Sequence, residues 1–154
     1  AVEWNGLIGA FGFIVTFSIA FYLAKLAKKH GAKMIHFACL LFGAISFLWF
    51  PTIQNQYVFF AVIIGYGIAW ASMMGIPYLM VVAVIPKERY GVYMGIINMM
   101  IVIPMIIQNL SFGYILKNFL DNDPRQAISF AGVLLMLAAI CTLLIKIKNT
   151  KVSE

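Results

Sequence analysis

The chain has 154 residues, 64% of them hydrophobic and 10% charged, against roughly 45–50% and 25% in soluble domains. That balance excludes an ordinary water-soluble fold. The net charge of +6 would suit a nucleic-acid binder, but the basic residues sit in short segments between apolar runs, so no nucleic-acid partner is expected. Both cysteines, Cys39 and Cys141, fall inside apolar runs, where a thiol behaves as a small hydrophobe, and neither a disulfide nor a metal site is expected.

Five stretches carry no Asp, Glu, Lys or Arg: Trp4 to Ala24, Met34 to Phe50, Tyr57 to Ile85, Tyr90 to Leu116 and Gln126 to Ile145. A helix needs about 20 apolar residues to cross the hydrocarbon core, within a working range of roughly 17 to 25. The expected architecture is all-α, a polytopic bundle with spans at about 4–27, 34–50, 57–85, 91–117 and 126–147 and a tail over 148–154. The first run is too long for a secretory signal and lacks a basic leader and a cleavage site. A chain that begins on a span and has an odd number of them is expected to be a piece of something longer.

In the first span, Asn5, Gly9, Gly12 and Thr16 share one face at 100° per residue. Such a stripe suits close helix packing or the lining of an aqueous cavity. A basic loop follows, Lys25 to Lys33, with Gly31 as its turn residue. His36, near the start of the second span, is expected to be a hydrogen-bonded residue rather than a proton relay. The third span holds Pro77 and the fourth Pro104, and each proline removes a backbone hydrogen bond, so both are candidate hinges. Between these spans lies Pro86 to Arg89, and Asp123-Pro124 turns the chain into the last span.

With the first span running inward, Lys25, Lys28, Lys29, Lys33, Lys87, Arg89, Lys146, Lys148 and Lys151 fall on one side and only Lys117 and Arg125 on the other. Positive charge accumulates on the cytoplasmic side of membrane proteins. The expected topology is therefore an outer N-terminus and a cytoplasmic C-terminus, in a cell (inner or plasma) membrane.

None of the five acidic residues lies at mid-membrane depth: Glu3, Glu88, Asp121, Asp123 and Glu154 all flank the spans. Buried ionisable groups mark proton and ion pathways, so no coupling carboxylate is expected in this segment. No phosphate-binding glycine loop, metal-ligand cluster or nucleophile–base set is present in the sequence, and neither enzymatic catalysis nor a cofactor is expected. The polar and aromatic groups within the spans are left. Tyr66, Trp70, Met73 and Pro77 share one face of the third span; Asn98, Val102, Met105 and Asn109 share one face of the fourth. A tryptophan at mid-depth is either a packed aromatic or a stacking platform for a sugar ring. For the second reading, the substrate-binding candidates are Asn5, Tyr66, Trp70, Met73, Asn98 and Met105, with the amides serving hydroxyl groups.

The central run GYGIAWASMMGIPYLMVVAVIPKERYGVYMGIINMMIVIP, Gly65 to Pro104, resembles the major facilitator superfamily. The residues that carry the likeness are Gly67-Ile-Ala-Trp70-Ala-Ser72, Pro77-Tyr78, and Pro86-Lys-Glu-Arg89-Tyr-Gly91-Val-Tyr-Met-Gly95 leading to Asn98; Leu26 to Lys33 adds a weaker part. Within the superfamily the sequence is most similar to sugar symporters of the sucrose and maltose branch, near the glycoside-pentoside-hexuronide symporters. The resemblance implies helices eight to twelve of a twelve-helix transporter, with an N-terminal half outside this segment as partner. It also implies alternating access, a sugar substrate such as a disaccharide or glycoside, and proton coupling. Lys28, Lys29, Glu88, Arg89, Gly91 and Gly95 would form a cytoplasmic gate; Lys28 stands where the family often has an acid. A transporter of another small solute and a non-transporting membrane scaffold are the alternatives. They differ in what the Trp70 and Asn98 faces meet: a wet cleft, or lipid and packed helices.

Overall fold

A computed structural model describes residues 2–55 and 57–146, except for the side chains of residues 2, 3 and 5. Five α-helices account for most of it: α1 (Val2–His30), α2 (Ala32–Trp49), α3 (Phe59–Val82), α4 (Tyr90–Phe119) and α5 (Pro124–Leu144). Each is long and apolar enough to cross a membrane, and no strand occurs among the described residues. Helices are the natural outcome, because in lipid every backbone N–H and C=O must find its partner within the segment. Serine and threonine hydroxyls follow the same rule. Ser46 Oγ donates to Phe42 O at 2.9 Å, Ser111 Oγ to Ile107 O at 2.7 Å and Thr142 Oγ1 to Ala138 O at 2.9 Å.

The helix boundaries have local causes. The basic segment expected as a loop is almost wholly helical. Lys25 to His30 extend α1, Lys28, Lys29 and His30 form its last turn, and α2 begins at Ala32. Gly31 alone makes the reversal, at φ 91°, which a glycine reaches without steric cost. Basic side chains in the last turn of α1 also complement the negative end of its dipole. At the other end of the bundle, Asp121 and Asn122 adopt positive φ, and the Asp123 carboxylate accepts the Arg125 N–H at 2.8 Å. Pro124 then occupies the first turn of α5, where its missing N–H costs nothing. α3 and α4 run without interruption through Pro77 and Pro104. The fifth span ends at Leu144; residue 147 and the tail 148–154 lie outside the described residues.

α2 is the central element, packed on α3, α5 and α1, with α1 also packed on α3. Small residues make the approaches. A Cβ added at Gly43 would come within 2.5 Å of the Ala69 Cβ, and one at Gly65 would overlap Ser46 Oγ. At Gly67 it would meet Val15 at 2.8 Å, and at Gly132 the Leu48 and Phe47 atoms at 3.1 Å. Ala44 of α2 and Ala139 of α5 are fully buried. Thr16 closes the α1–α3 seam by donating to Gly12 O at 2.9 Å and Gly67 O at 3.3 Å. Of the small-residue stripe on α1, Gly12 and Thr16 therefore serve helix packing, whereas Gly9 faces open space.

α4 is different. Its one buried residue is Ile97, and every residue from Val102 to Leu110 is exposed. Among the other helices it touches mainly α3.

Candidate functional site

The aromatic face of α3 is built by the close seam between α2 and α3. With Gly65 against Ser46, the neighbouring residues Phe47 and Tyr66 are brought ring to ring, their centroids 5.8 Å apart and planes 13° from parallel. Tyr66 in turn stacks on Trp70, one helical turn along, at 5.8 Å and 26°. The result is a row of three rings, Phe47–Tyr66–Trp70, with the indole at its end and 37% exposed. Offset stacking of this kind is favourable beyond the area it covers, by about 0.5–1.5 kcal/mol per pair. Met73 and Pro77, on the same face, are half-buried.

Asn98 meets α3 at a different place. Its Oδ1 accepts the Tyr78 hydroxyl at 2.5 Å, one residue after Ile97, the buried residue of α4. Tyr78 lies eight residues past Trp70, about 12 Å along the helix axis. The structure thus assembles two pairs, Tyr66 with Trp70 and Tyr78 with Asn98, at separate levels of α3. Met105, two turns beyond Asn98 on α4, is 56% exposed. The Asn5 side chain lies outside the described residues.

The gate candidates lie at one end of the bundle. Lys28 and Lys29 are exposed in the last turn of α1; Glu88 and Arg89 are exposed in a 3₁₀ turn, Lys87–Arg89, that leads into α4. Gly91 and Gly95 make no close helix contact within the described residues: a Cβ at either would have nothing within 4 Å. The close contacts fall instead at Gly12, Gly43, Gly65, Gly67 and Gly132, which sequence periodicity does not separate from the exposed glycines.

Sequence reasoning also passed over three side chains that the fold puts to use. Phe47 starts the aromatic row, Tyr78 holds Asn98, and Ser72, fully buried, bonds His36 Nδ1 at 2.7 Å across the α2–α3 seam. Tyr78 and Ser72 both lie in the family-like run, but neither carries a sign of its partner on another helix, and nothing in the sequence marks Phe47. His36 is itself buried, so its hydrogen bond serves helix packing. Among the described residues no three His, Cys, Asp or Glu side chains come together as a metal site.

No match is found among curated proteins or solved structures. The sequence profile of the family described as Major Facilitator Superfamily matches residues 2–109, a stretch that holds α1, α2, α3 and most of α4 with both candidate pairs. Five membrane-length helices, a small-residue core and that match lead to one conclusion: the chain belongs to the major facilitator superfamily.

Proposed function

We propose that these five helices belong to a transporter that moves a sugar, such as a disaccharide or glycoside, by alternating access. The observation that carries the reading is the ring row Phe47–Tyr66–Trp70 ending in an exposed indole. A flat aromatic surface presents its face to the C–H side of a sugar ring, and amides such as Asn98 supply partners for hydroxyl groups. The exposed position of Trp70 within a span supports a site that further protein completes. In this reading the other helices of the same transporter cover α3 and α4, leaving the solute in the space between. Coupling to protons would use side chains on those helices, because the spans of this chain carry no Asp or Glu. The basic end of the bundle would face the cytoplasm of a cell membrane, together with the C-terminus.

The test is sugar binding to the membrane-embedded transporter, measured calorimetrically for a panel of mono- and disaccharides. Trp70→Ala is expected to weaken binding by about 1–3 kcal/mol, the worth of a large aromatic contact. Trp70→Phe should recover part of the loss, because a smaller ring still stacks. Unchanged sugar affinity in Trp70→Ala would show the row to be helix packing. Absence of binding by every sugar of the panel would assign the transporter to another substrate class.

A further inference from the structure

Where α1 meets α2, near the basic end of the bundle, side chains leave the seam open. Leu23 and Leu26 of α1, Ile35, Ala38 and Phe42 of α2, and Ile68 of α3 line an apolar groove of about 280 Å³. Its floor is firm, because Leu23, Cys39 and Ala71 are buried together with Ile35 and Ile68 packed against them. The α2 wall from Ile35 to Phe42 runs about 10 Å along the helix. An apolar surface of this length parallel to two membrane helices suits a hydrocarbon chain better than water, which needs several polar partners.

The mouth of the groove has the opposite chemistry. On α1, the positions three and four residues beyond Leu26, and so on the same face, are Lys29 and His30, both exposed. On α2, the turn before Ile35 begins at Ala32, whose helix start has no side-chain cap and no acidic residue. The surrounding end carries Lys25, Lys28, Lys33, Lys87, Arg89 and Lys146, and among the described residues its one carboxylate is Glu88. Lys33 is already engaged, donating from Nζ to Ile145 O at 2.8 Å. Lys29 is the lysine closest in helical phase to the groove.

We propose that this groove is a site for an anionic phospholipid, one acyl chain lying between Leu26 and Phe42 and the phosphate at Lys29. The two halves of the seam match the two halves of that molecule. A zwitterionic lipid would bring the acyl chain but set its own cation among the lysines. Inorganic phosphate would meet the charge and leave the groove unused. Basic pockets between membrane helices recognise acidic headgroups by the same combination.

The experiment is native mass spectrometry of the purified full chain in neutral detergent, with dioleoyl-phosphatidylglycerol or dioleoyl-phosphatidylcholine added. One phosphatidylglycerol is expected to stay bound under conditions that strip phosphatidylcholine. Lys29→Gln should lower its retention about fivefold, the weight of one basic side chain near an acidic headgroup. Ala38→Trp should abolish it by filling the groove; Ala38 is exposed, so the added ring leaves the core alone. Ser18→Trp, in the separate groove between α1 and α3, should leave retention unchanged. Equal retention of the two lipids overturns the proposal. So does undiminished binding in Lys29→Gln or Ala38→Trp, an equal loss in Ser18→Trp, or displacement of the lipid by millimolar inorganic phosphate.

Discussion

At the scale of single residues, the α2–α3 seam depends on atoms that are absent. Gly65 is in contact with Ser46, and any side chain there must push α2 and α3 apart. Gly65→Leu is expected to destabilise the bundle by about 1–3 kcal/mol or more, the usual cost of overpacking. Thermal unfolding in detergent measures it, and an unshifted midpoint would mean that the seam is looser than its geometry. Gly75 is the natural comparison, since a Cβ there meets nothing within 4 Å, and Gly75→Ala should be close to neutral. The same seam contains the bond between His36 and Ser72. Ser72→Ala removes the partner of a buried imidazole nitrogen and should cost about 1 kcal/mol, the middle of the range for hydrogen bonds between membrane helices. A double cycle with His36→Phe would isolate that pair: if the two losses simply add, the bond contributes nothing.

At the scale of elements, α4 is set apart from the other four helices. α1, α2, α3 and α5 hold one another through glycine and alanine contacts, while α4 has Ile97, the Tyr78–Asn98 bond and its two connecting segments. Its long exposed stretch also contains amides at Gln108 and Asn109, which are poorly suited to lipid. The placement of α4 can be checked by cross-linking. Tyr78→Cys with Asn98→Cys should be joined rapidly by a short bifunctional thiol cross-linker in membranes, because the side chains at these positions meet. Trp70→Cys with Asn98→Cys should be joined slowly, because α4 meets α3 at the level of Tyr78. Equal rates for both pairs would show that α4 lies against the aromatic row instead.

At the scale of the whole molecule, the alternating helices gather charge at one end. The C-terminal ends of α1, α3 and α5 and the N-terminal ends of α2 and α4 lie together, which collects Lys25, Lys28, Lys29, Lys33, Lys87, Arg89 and Lys146. Lys33 reaching Ile145 across the bundle is the direct link between two of those ends. The opposite end has Lys117 and Arg125 beside Asp121 and Asp123. Such an imbalance predicts that the lysine-rich end is cytoplasmic. Cysteines placed at Asn122 and at Lys29 should react with an impermeant reagent from opposite sides of the membrane. Labelling of both from the same side would reject the arrangement.

The sequence by itself determined five helices long and apolar enough to cross a membrane, because hydropathy and the positions of charge are local properties of the chain. It also contained the aromatic pair on α3: Tyr66 and Trp70 are one turn apart, so helical periodicity alone puts them side by side. The extent of helix at the basic segment was not legible, since a single glycine suffices for the turn and lysines are as compatible with a helix end as with a loop. Only the tertiary structure decided which glycines matter. Gly65 and Gly91 look alike in an apolar run, yet one touches Ser46 and the other faces open space, a difference made by residues far away in sequence. Only the fold, too, joined Phe47 to Tyr66, Ser72 to His36 and Tyr78 to Asn98. Each of those contacts depends on the distance and rotation between two helices, and that relation is settled by how their small residues interlock rather than by the pattern along either one.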